Sequence, residues 1–306
     1  MVKRKTRKNN KHRGGAQAVA AAPPAEGHAE AIAEMPQICV GTAQYNKHNP
    51  CTIGPIVSVA LAFGYRHIDG AESYGPAAYR KALGAALRAS CVPRNQIWLT
   101  WKSDNITAAT IARQIADLNC TYIDLFLIHH SCGTPAEFAV LEAAQAAGHI
   151  RHFGVSNCDD IEDLRAVKAA HNIFANQIQA GPPTAIVEGK EDRSPTFIRD
   201  CNAAGVAVML YAPISGATMS ETLYERGNEH LAVFSHENAK NLNRYYTQKY
   251  VVGKPNVLMV GTTTGRSLPK NMDEFTDTLR GANLLKAPEM AEMETFLNQI
   301  VLANMG

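Results

Sequence analysis

Beyond residue 35, the chain alternates short apolar stretches with longer stretches in which apolar positions recur at a helical period. The short stretches are rich in β-branched and aromatic residues, and most lack regular polar alternation. This pattern is typical of parallel strands that are covered on both faces. We predict eight strands, at residues 37–42, 65–69, 97–102, 122–129, 151–156, 175–179, 206–212 and 256–261.

Helices are predicted between these strands. Segment 107–119 carries apolar residues at every third or fourth position, which is the spacing of one helical face. Segment 159–171 opens on two aspartates, which favour a helix N-terminus. The four clearest helices are predicted at residues 77–90, 107–119, 135–148 and 159–171.

The spacing of the strands indicates the fold. Successive strands begin roughly 24 to 32 residues apart, which is about one strand and one helix each. Eight βα units in succession predict an α/β protein with a closed (β/α)8 TIM barrel as a single domain. The interval 213–255 is longer and polar, and we interpret it as a helix with an inserted loop near the active face. Residues 282–306 are predicted to form one more helix on the outside.

The composition agrees with a barrel of this size. The chain has 306 residues, of which 46% are hydrophobic, and no apolar run is long enough to cross a membrane. Its seven cysteines are scattered and include no CxxC motif. We therefore expect reduced thiols in a cytoplasmic protein, with neither a disulfide framework nor a zinc site.

The charge is concentrated at the amino terminus. Residues 1–25 contain seven Lys or Arg and no acid, so the net charge of +2 hides an acidic body. We predict a disordered basic tail at 1–35 and a barrel domain at 36–306. Three interpretations of the tail stay open: a solubilising leader, an electrostatic address for nucleic acid or an anionic surface, and a cleaved targeting peptide.

Candidate chemistry lies at the carboxyl ends of the predicted strands, where barrels of this kind form their active sites. Asp69 ends the second strand and Tyr74 follows it, while Lys102 and His129 end the third and fourth. A free phenol has a pKa near 10, and an adjacent ammonium favours its ionised form. The four residues together predict a tyrosine that gives a proton to a carbonyl oxygen.

Seven motifs make the chain resemble the aldo-keto reductase family. They occur in the family's order over about residues 36–281. They are GYRHIDGAESYG (64–75), LTWKSD (99–104), DLFLIH (124–129), GHIRHFGVSN (148–157), NQIQ (176–179), YAPIS (211–215) and GTTTGRSLPKN (261–271). The resemblance implies an NAD(P)H-dependent oxidoreductase that reduces an aldehyde or ketone without a metal ion.

The resemblance also implies a role for each site residue. Tyr74 would be the general acid, Lys102 and Asp69 would tune it, and His129 would orient the substrate oxygen. At the nicotinamide end the implied binding residues are Thr42, Asp69, Ser156, Asn157, Gln177 and Tyr211. At the adenosine end they are Gly261, Thr262, Thr263, Thr264, Arg266 and Asn271. Basic Arg266 and Lys270 favour NADP(H) over NAD(H).

Some positions depart from the family's pattern. Pro76-Ala77 follow the tyrosine motif where Asn-Glu is usual, which affects the start of the next helix. The loop after His129 shrinks to HSCGTP at 130–135, so we expect that side of the substrate pocket to be open and less apolar.

The same residues allow three alternatives. The first is an NADP(H)-binding module with little turnover that senses redox state or binds a partner. The second is a Schiff base formed by Lys102. The third is a metal site at His129 and His130, which strand geometry disfavours because neighbouring residues on a strand point to opposite faces.

Overall fold

The computed structural model describes most of the predicted barrel. The described residues are 31–32, 34–43, 53–179, 194–211, 244–245, 248–254, 257–261, 277–278 and 280–295. The predicted disordered tail therefore lies outside the described residues up to residue 30, as does most of the interval 213–255.

Eight parallel strands form a closed barrel in chain order, with the last strand paired to the first. This confirms the predicted (β/α)8 fold and every predicted strand. The strands are β1 Ile38–Gly41, β2 His67–Ala71, β3 Trp98–Ser103, β4 Ile123–Ile128, β5 Ile150–Ser156, β6 Ala175–Gln179, β7 Ala207–Tyr211 and β8 Val257–Gly261.

Helices connect the strands on the outside of the barrel. They are α1 Ile53–Ala62, α2 Ala77–Ala89, α3 Ala108–Leu118, α4 Pro135–Ala146, α5 Ile161–His171 and α6 Ser194–Ala203. Residues 287–295 are also helical, which confirms the described part of the predicted outer helix. A 3₁₀ turn at Glu72–Tyr74 leads from β2 towards α2, and Pro76 immediately precedes the first residue of α2.

Local sequence explains where these helices begin. Thr134 caps α4 in a reciprocal capping box with Glu137, and Asp160 caps α5 by accepting from two backbone amides. At their other ends, α3 and α5 stop at Asn119 and Asn172, which adopt the left-handed conformation that asparagine tolerates. The caps thus fix the length of the connections that lie beside the strand ends.

Alternate side chains of each strand face opposite sides of the barrel wall, because the side-chain period of a strand is two. On β3, Trp98 belongs to the core cluster inside the barrel, whereas Leu99 and Trp101 belong to the cluster between strands and helices. Lys102 is four residues after Trp98 on β3 and therefore faces the same side of the wall, and Asp69 faces this side from β2. Both therefore point into the barrel, close to its carboxyl end.

The folded part of the chain begins before the predicted boundary at residue 36. Ala31, Ile32 and Met35 are buried, and they pack in the cluster that fills the barrel interior. The sequence pattern does not indicate this packing, because a few apolar residues in an alanine-rich stretch give no strand or helix period.

The described part of the chain also lines a cavity of about 420 Å³. Its lining residues are Ala31, Glu34, Gln145, Gly148, Ile150, Arg151 and His152. Because Ile150 begins β5, this cavity lies at the amino end of that strand, opposite the candidate chemistry. Among the described residues, no helix is both long and apolar enough to cross a membrane.

Close packing of α2 on α3 predicts a sharp effect at Gly84. A Cβ added there would lie 2.0 Å from the carbonyl oxygen of Leu118 on α3. We expect Gly84→Ala to lower the free energy of unfolding by about 1–3 kcal/mol, since the helices must separate. Urea unfolding monitored by circular dichroism measures the change.

Gly54 on α1 is the matched control. A Cβ there would come no closer than 3.5 Å to another atom, the carbonyl oxygen of Ala82. Gly54→Ala should therefore be neutral or stabilise by about 0.5–1 kcal/mol, as glycine is costly within helices. Equal urea midpoints for both variants would contradict the close contact between α2 and α3.

Candidate active site

A buried ion pair lies at the centre of the barrel mouth. The Nζ of Lys102 contacts both carboxylate oxygens of Asp69, at 2.6 and 2.7 Å. The two residues are only 1% and 2% exposed. The amide of Gln177 on β6 donates a further hydrogen bond of 2.8 Å to the same carboxylate. Asp69 is thus held from the adjacent strand β3 and from β6 across the barrel.

The charge state of Lys102 follows from these partners. Burial alone would lower the pKa of Lys102, but the carboxylate of Asp69 and the hydrogen bonds to Asp69 and Tyr74 raise it overall. Lys102 therefore stays a cation although it is out of contact with water.

Tyr74 lies on the 3₁₀ turn after β2, with the ammonium of Lys102 5.1 Å from its ring centroid. The interaction with Tyr74 raises the pKa of Lys102. Burial raises the pKa of Tyr74 above 10, and the opposing effect of Lys102 offsets only part of that shift. Lys102 favours the phenolate as predicted, but desolvation outweighs the cation, so the net shift of the Tyr74 pKa is upward. The phenol keeps its proton at neutral pH.

His129 follows the last residue of β4 and joins the same group. Its ring meets the ring of Tyr74 edge-on, with centroids 5.8 Å apart, and its Nδ1 lies 3.2 Å from the Oγ of Ser73. Burial, Lys102 and His130 together lower the pKa of His129 to about 3. The imidazole is therefore neutral above that pH, and its 3.6 Å contact with Asp104 is not an ion pair.

His130 lies beside His129 rather than on the opposite face. The two rings stack with centroids 3.8 Å apart, and donor atoms of both histidines and of Asp104 lie within 4.8 Å of one another. The argument that adjacent histidines must point apart is wrong here because β4 ends at Ile128, so strand alternation does not apply. This donor set suits a transition-metal ion, although Asp104 and His130 are exposed. That the protein uses no metal stays a prediction.

The residues assigned to the nicotinamide end lie on the neighbouring strand ends. Ser156 ends β5 and donates to the carbonyl oxygen of Gln177 at 2.9 Å. Asn157 donates to the carbonyl oxygen of His129 at 3.0 Å and accepts from the hydroxyl of Tyr211 at 2.9 Å. Asn157 thus links the ends of β5 and β7 to His129, the residue that follows β4.

Of the other residues assigned to cofactor binding, Thr42 and Gly261 are described by the structure and the rest are not. The hydroxyl of Thr42 is buried, donates to the carbonyl oxygen of Asp69 at 2.7 Å and bonds the hydroxyl of Tyr79. Gly261 ends β8 beside β1. The remaining residues assigned to the adenosine end, Thr262, Thr263, Thr264, Arg266 and Asn271, lie outside the described residues, as does Lys270.

A disulfide joins two of the loops at the barrel mouth. Cys132, in the loop after β4, is bonded to Cys158, which follows Asn157 after β5. The expectation that all cysteines are reduced is wrong for this pair. Cys39, Cys91, Cys120 and Cys201 are free thiols, in line with that expectation.

Sequence reasoning missed several contacts of the site. The hydroxyl of Ser73, the residue before Tyr74, meets the His129 ring, and the amide of Gln177 holds Asp69. A signal existed for the disulfide: β4 and β5 are neighbours in a barrel, and a cysteine follows each within a few residues. No sequence signal indicated that Gln177 would reach Asp69 across the barrel.

Comparison with known proteins agrees with this geometry. The family model described as the Aldo/keto reductase family matches residues 37–277. The chain is 29% identical over 222 residues to aldo-keto reductase family 1 member A1 of Pongo abelii, covering 60% of this chain and 63% of that protein. It is 30% identical over 201 residues to an NAD/NADP-dependent indole-3-acetaldehyde reductase of Schizosaccharomyces pombe, covering 59% and 66%. The matches thus span less than two thirds of these curated relatives.

Solved structures share the fold. An aldose reductase of Giardia lamblia superposes with a TM-score of 0.65 at 18% identity, covering 86% of this chain and 92% of that one. A Bombyx mori aldo-keto reductase in complex with NADP gives a TM-score of 0.63 at 20% identity, with 86% and 89% covered. These likenesses concern the barrel architecture.

The buried ion pair predicts a large loss of stability when one partner is removed. Lys102→Met leaves the carboxylate of Asp69 buried without its cation, so we expect the free energy of unfolding to fall by about 3–5 kcal/mol. The double variant Asp69→Asn with Lys102→Met should recover part of this loss, because no buried charge remains. Equal urea midpoints for wild type and Lys102→Met would contradict the ion pair.

His67 predicts a pH dependence of stability. Its ring is fully buried, with Nδ1 donating to the carbonyl oxygen of Pro36 at 3.0 Å and Nε2 2.8 Å from the hydroxyl of Thr100. Burial lowers the pKa of His67 to about 4, and the hydrogen bond to Pro36, which raises this pKa, offsets only part of the effect. The unfolded chain takes up a proton below about pH 6.5 while the folded protein does not. His67 therefore costs stability progressively as the pH falls from about 6.5 to 4.

The variant His67→Gln should flatten this dependence. We expect the slope of unfolding free energy against pH between 6.5 and 4 to decrease by up to about 1.4 kcal/mol per pH unit, the value for one proton. Urea titrations at several pH values measure the slope. His149→Gln, at an exposed position, is the control and should keep the wild-type slope. An unchanged slope in His67→Gln would rule out a neutral buried ring.

Proposed function

The chain belongs to the aldo/keto reductase family, and we propose that it is an NADPH-dependent oxidoreductase that reduces an aldehyde or ketone to an alcohol. The observation that carries the proposal is the convergence of Asp69, Tyr74, Lys102 and His129 at the mouth of the barrel. These residues come from the ends of three different strands. Asp69 contacts Lys102, the ammonium of Lys102 lies near the ring of Tyr74, and that ring meets the ring of His129.

Tyr74 is the proposed proton donor. Its raised pKa keeps the proton on the phenol until an acceptor arrives, and the developing alkoxide of a reduced carbonyl is a much stronger base than the phenolate left behind. The nearby ammonium of Lys102, which lowers the pKa of Tyr74, stabilises that phenolate as it forms. Asp69 acts indirectly, because it fixes the ammonium of Lys102 in position.

His129 orients the carbonyl oxygen beside the phenol in this proposal. The lowered pKa makes the ring neutral at physiological pH, so one ring nitrogen donates and the other accepts. Ser73 lies against Nδ1, and among the described residues Nε2 has no hydrogen-bond partner. Nε2 is therefore the atom proposed to meet the substrate oxygen.

The residues present fit a nicotinamide cofactor. Ser156, Asn157 and Gln177 place hydroxyl and amide groups at adjacent strand ends, suited to a carboxamide, and the ring of Tyr211 lies beside them. When bound, the nicotinamide supplies the hydride. Preference for NADPH rests on the basic Arg266 and Lys270 in the sequence. The NADP complex of the Bombyx mori relative supports it.

A cytoplasmic location belongs to the same proposal. It rests on the four described free thiols, and the Cys132–Cys158 bond is the feature that argues for a more oxidising setting.

Tyr74→Phe tests the proton donor. We expect kcat for carbonyl reduction to fall by about 10²–10⁴-fold, because the variant lacks the only proposed acid. Nucleotide affinity, measured by the quench of fluorescence from the buried Trp98 and Trp101, should stay within about twofold, since one hydroxyl outside the cofactor contacts is removed. Activity is followed by oxidation of NADPH with a panel of small aldehydes.

Tyr122→Phe is the matched control. Tyr122 precedes β4 at the far end of the barrel, where its ring contacts the guanidinium of Arg94. Its removal should leave kcat unchanged. Wild-type turnover in Tyr74→Phe would exclude Tyr74 as the acid.

Arg266→Ala tests the cofactor preference. If Arg266 binds the 2′-phosphate, its loss should raise the Kd for NADPH about 10–100-fold, the usual value of a charged hydrogen bond, and leave the Kd for NADH unchanged. Parallel titrations with the two nucleotides measure the ratio. A wild-type protein that binds NADH as tightly as NADPH would refute the preference.

A further inference from the structure

The Cys132–Cys158 disulfide is a covalent link between the proposed substrate side of the barrel mouth and the turn that carries Asn157. The loop at 130–134 starts directly after His129, and we refer to it as the β4 loop. The catalytic role inferred below for the β4 loop rests on the proposed reductase function. The state of oxidation of the disulfide does not depend on that function.

The β4 loop makes few hydrogen bonds to the rest of the protein. Ser131 accepts a hydrogen bond of 3.1 Å from the amide of Gly133 within the loop, and Thr134 bonds Glu137 in the cap of α4. His130 approaches Asp104 only at 3.6 Å. In the described part of the chain, no hydrogen bond joins residues 130–133 to β5 or to the turn after it. The disulfide is thus the strongest connection of this loop to the neighbouring βα unit.

The other end of the bond is firmly held. The carbonyl oxygen of Cys158 accepts from the side chain of Asn176 at 2.8 Å, and the amide of Asn157 donates to Gln177 at 2.8 Å. Cys158 is fully buried and α5 is capped by Asp160 two residues later. Opening the disulfide would therefore free the β4 loop and leave the turn at Asn157 in place.

We propose that Cys132–Cys158 is a redox-modification site and that its reduction by a dithiol releases the β4 loop from the substrate side of the active site. A thiolate of the dithiol attacks the sulfur of Cys132, which is partly exposed, and expels the thiolate of the buried Cys158. The second thiol of the reductant then displaces Cys132. The protein gains two electrons and two protons, and the dithiol leaves as a cyclic disulfide.

Release of the loop has a specific kinetic consequence. An ordered loop lowers the entropy lost when a ligand binds, so the tethered form should bind the carbonyl substrate better. We expect KM for the carbonyl to rise about two- to tenfold on reduction, the equivalent of one ordinary hydrogen bond. The Kd for NADPH should not change, because the turn at Asn157 keeps its anchors.

Thiol counting tests the bond itself. Denatured protein is alkylated with iodoacetamide, with or without earlier treatment with dithiothreitol, and its cysteines are mapped by mass spectrometry. The expected result is that Cys132 and Cys158 are labelled only after reduction, whereas Cys91 and Cys120 are labelled in both samples. Labelling of Cys132 and Cys158 without reductant overturns the proposal.

Hydrogen exchange and kinetics test the consequence. In oxidised wild type and in the control variant Cys91→Ser, dithiothreitol should accelerate amide exchange at 130–134 and raise the carbonyl KM. The variant Cys132→Ser should show fast exchange and the higher KM without reductant, and should not respond to it. Equal exchange and equal KM in the oxidised and reduced proteins overturn the proposal.

The two proposals fail separately. If no protein form reduces any carbonyl, the proposed reductase function is wrong, and the exchange rates at 130–134 still decide whether the disulfide holds the loop. If carbonyl reduction is normal but reduction of the bond changes neither exchange nor KM, only the redox site is lost.

Discussion

The barrel mouth depends on the buried ion pair of Asp69 and Lys102. Moving two charges out of water costs several kcal/mol each, and their attraction offsets this only when the remaining hydrogen-bonding capacity is used. Here both carboxylate oxygens contact the ammonium, and Gln177 occupies one of them from the opposite side. A pair of this kind is a poor way to stabilise a fold. Its ammonium lies 5.1 Å from the centroid of the Tyr74 ring, and this position gives the pair a chemical role instead.

Two opposing effects on the pKa of Tyr74 determine which chemistry the Asp69–Lys102 pair can support. Burial raises the pKa of the phenol and the ammonium of Lys102 lowers it, and burial has the larger effect. The resting residue is therefore an acid rather than a base. The same ammonium lowers the pKa of His129, adding to burial, so a neutral imidazole and a protonated phenol meet in one place. Burial thus sets the protonation state of both neighbours, and the cation opposes its effect at Tyr74 and reinforces it at His129.

The sequence was sufficient for the barrel and for the convergence of the four central residues, because both follow from strand rhythm and from which residues end each strand. The sequence was insufficient for features that depend on the distances between side chains in the folded protein. The direction of the Tyr74 pKa shift depends on how much water the ring loses, which no pattern records. The geometry of His129 and His130 depends on β4 ending one residue earlier than predicted. The pairing of Cys132 with Cys158 depends on two loops meeting above neighbouring strands, and the residues assigned to the adenosine end are still a prediction.

Rigidity is distributed unevenly around the mouth. The strand ends from β2, β3, β5 and β6 are tied together by buried side-chain hydrogen bonds, which cannot open without exposing unpaired polar groups. The β4 loop lacks such bonds to its neighbour and depends on one covalent link. The proposed proton transfer requires fixed distances among Tyr74, Lys102 and His129, whereas entry of the proposed substrate requires a segment that adapts. A disulfide suits the second task because its state can change without disturbing the first set of contacts.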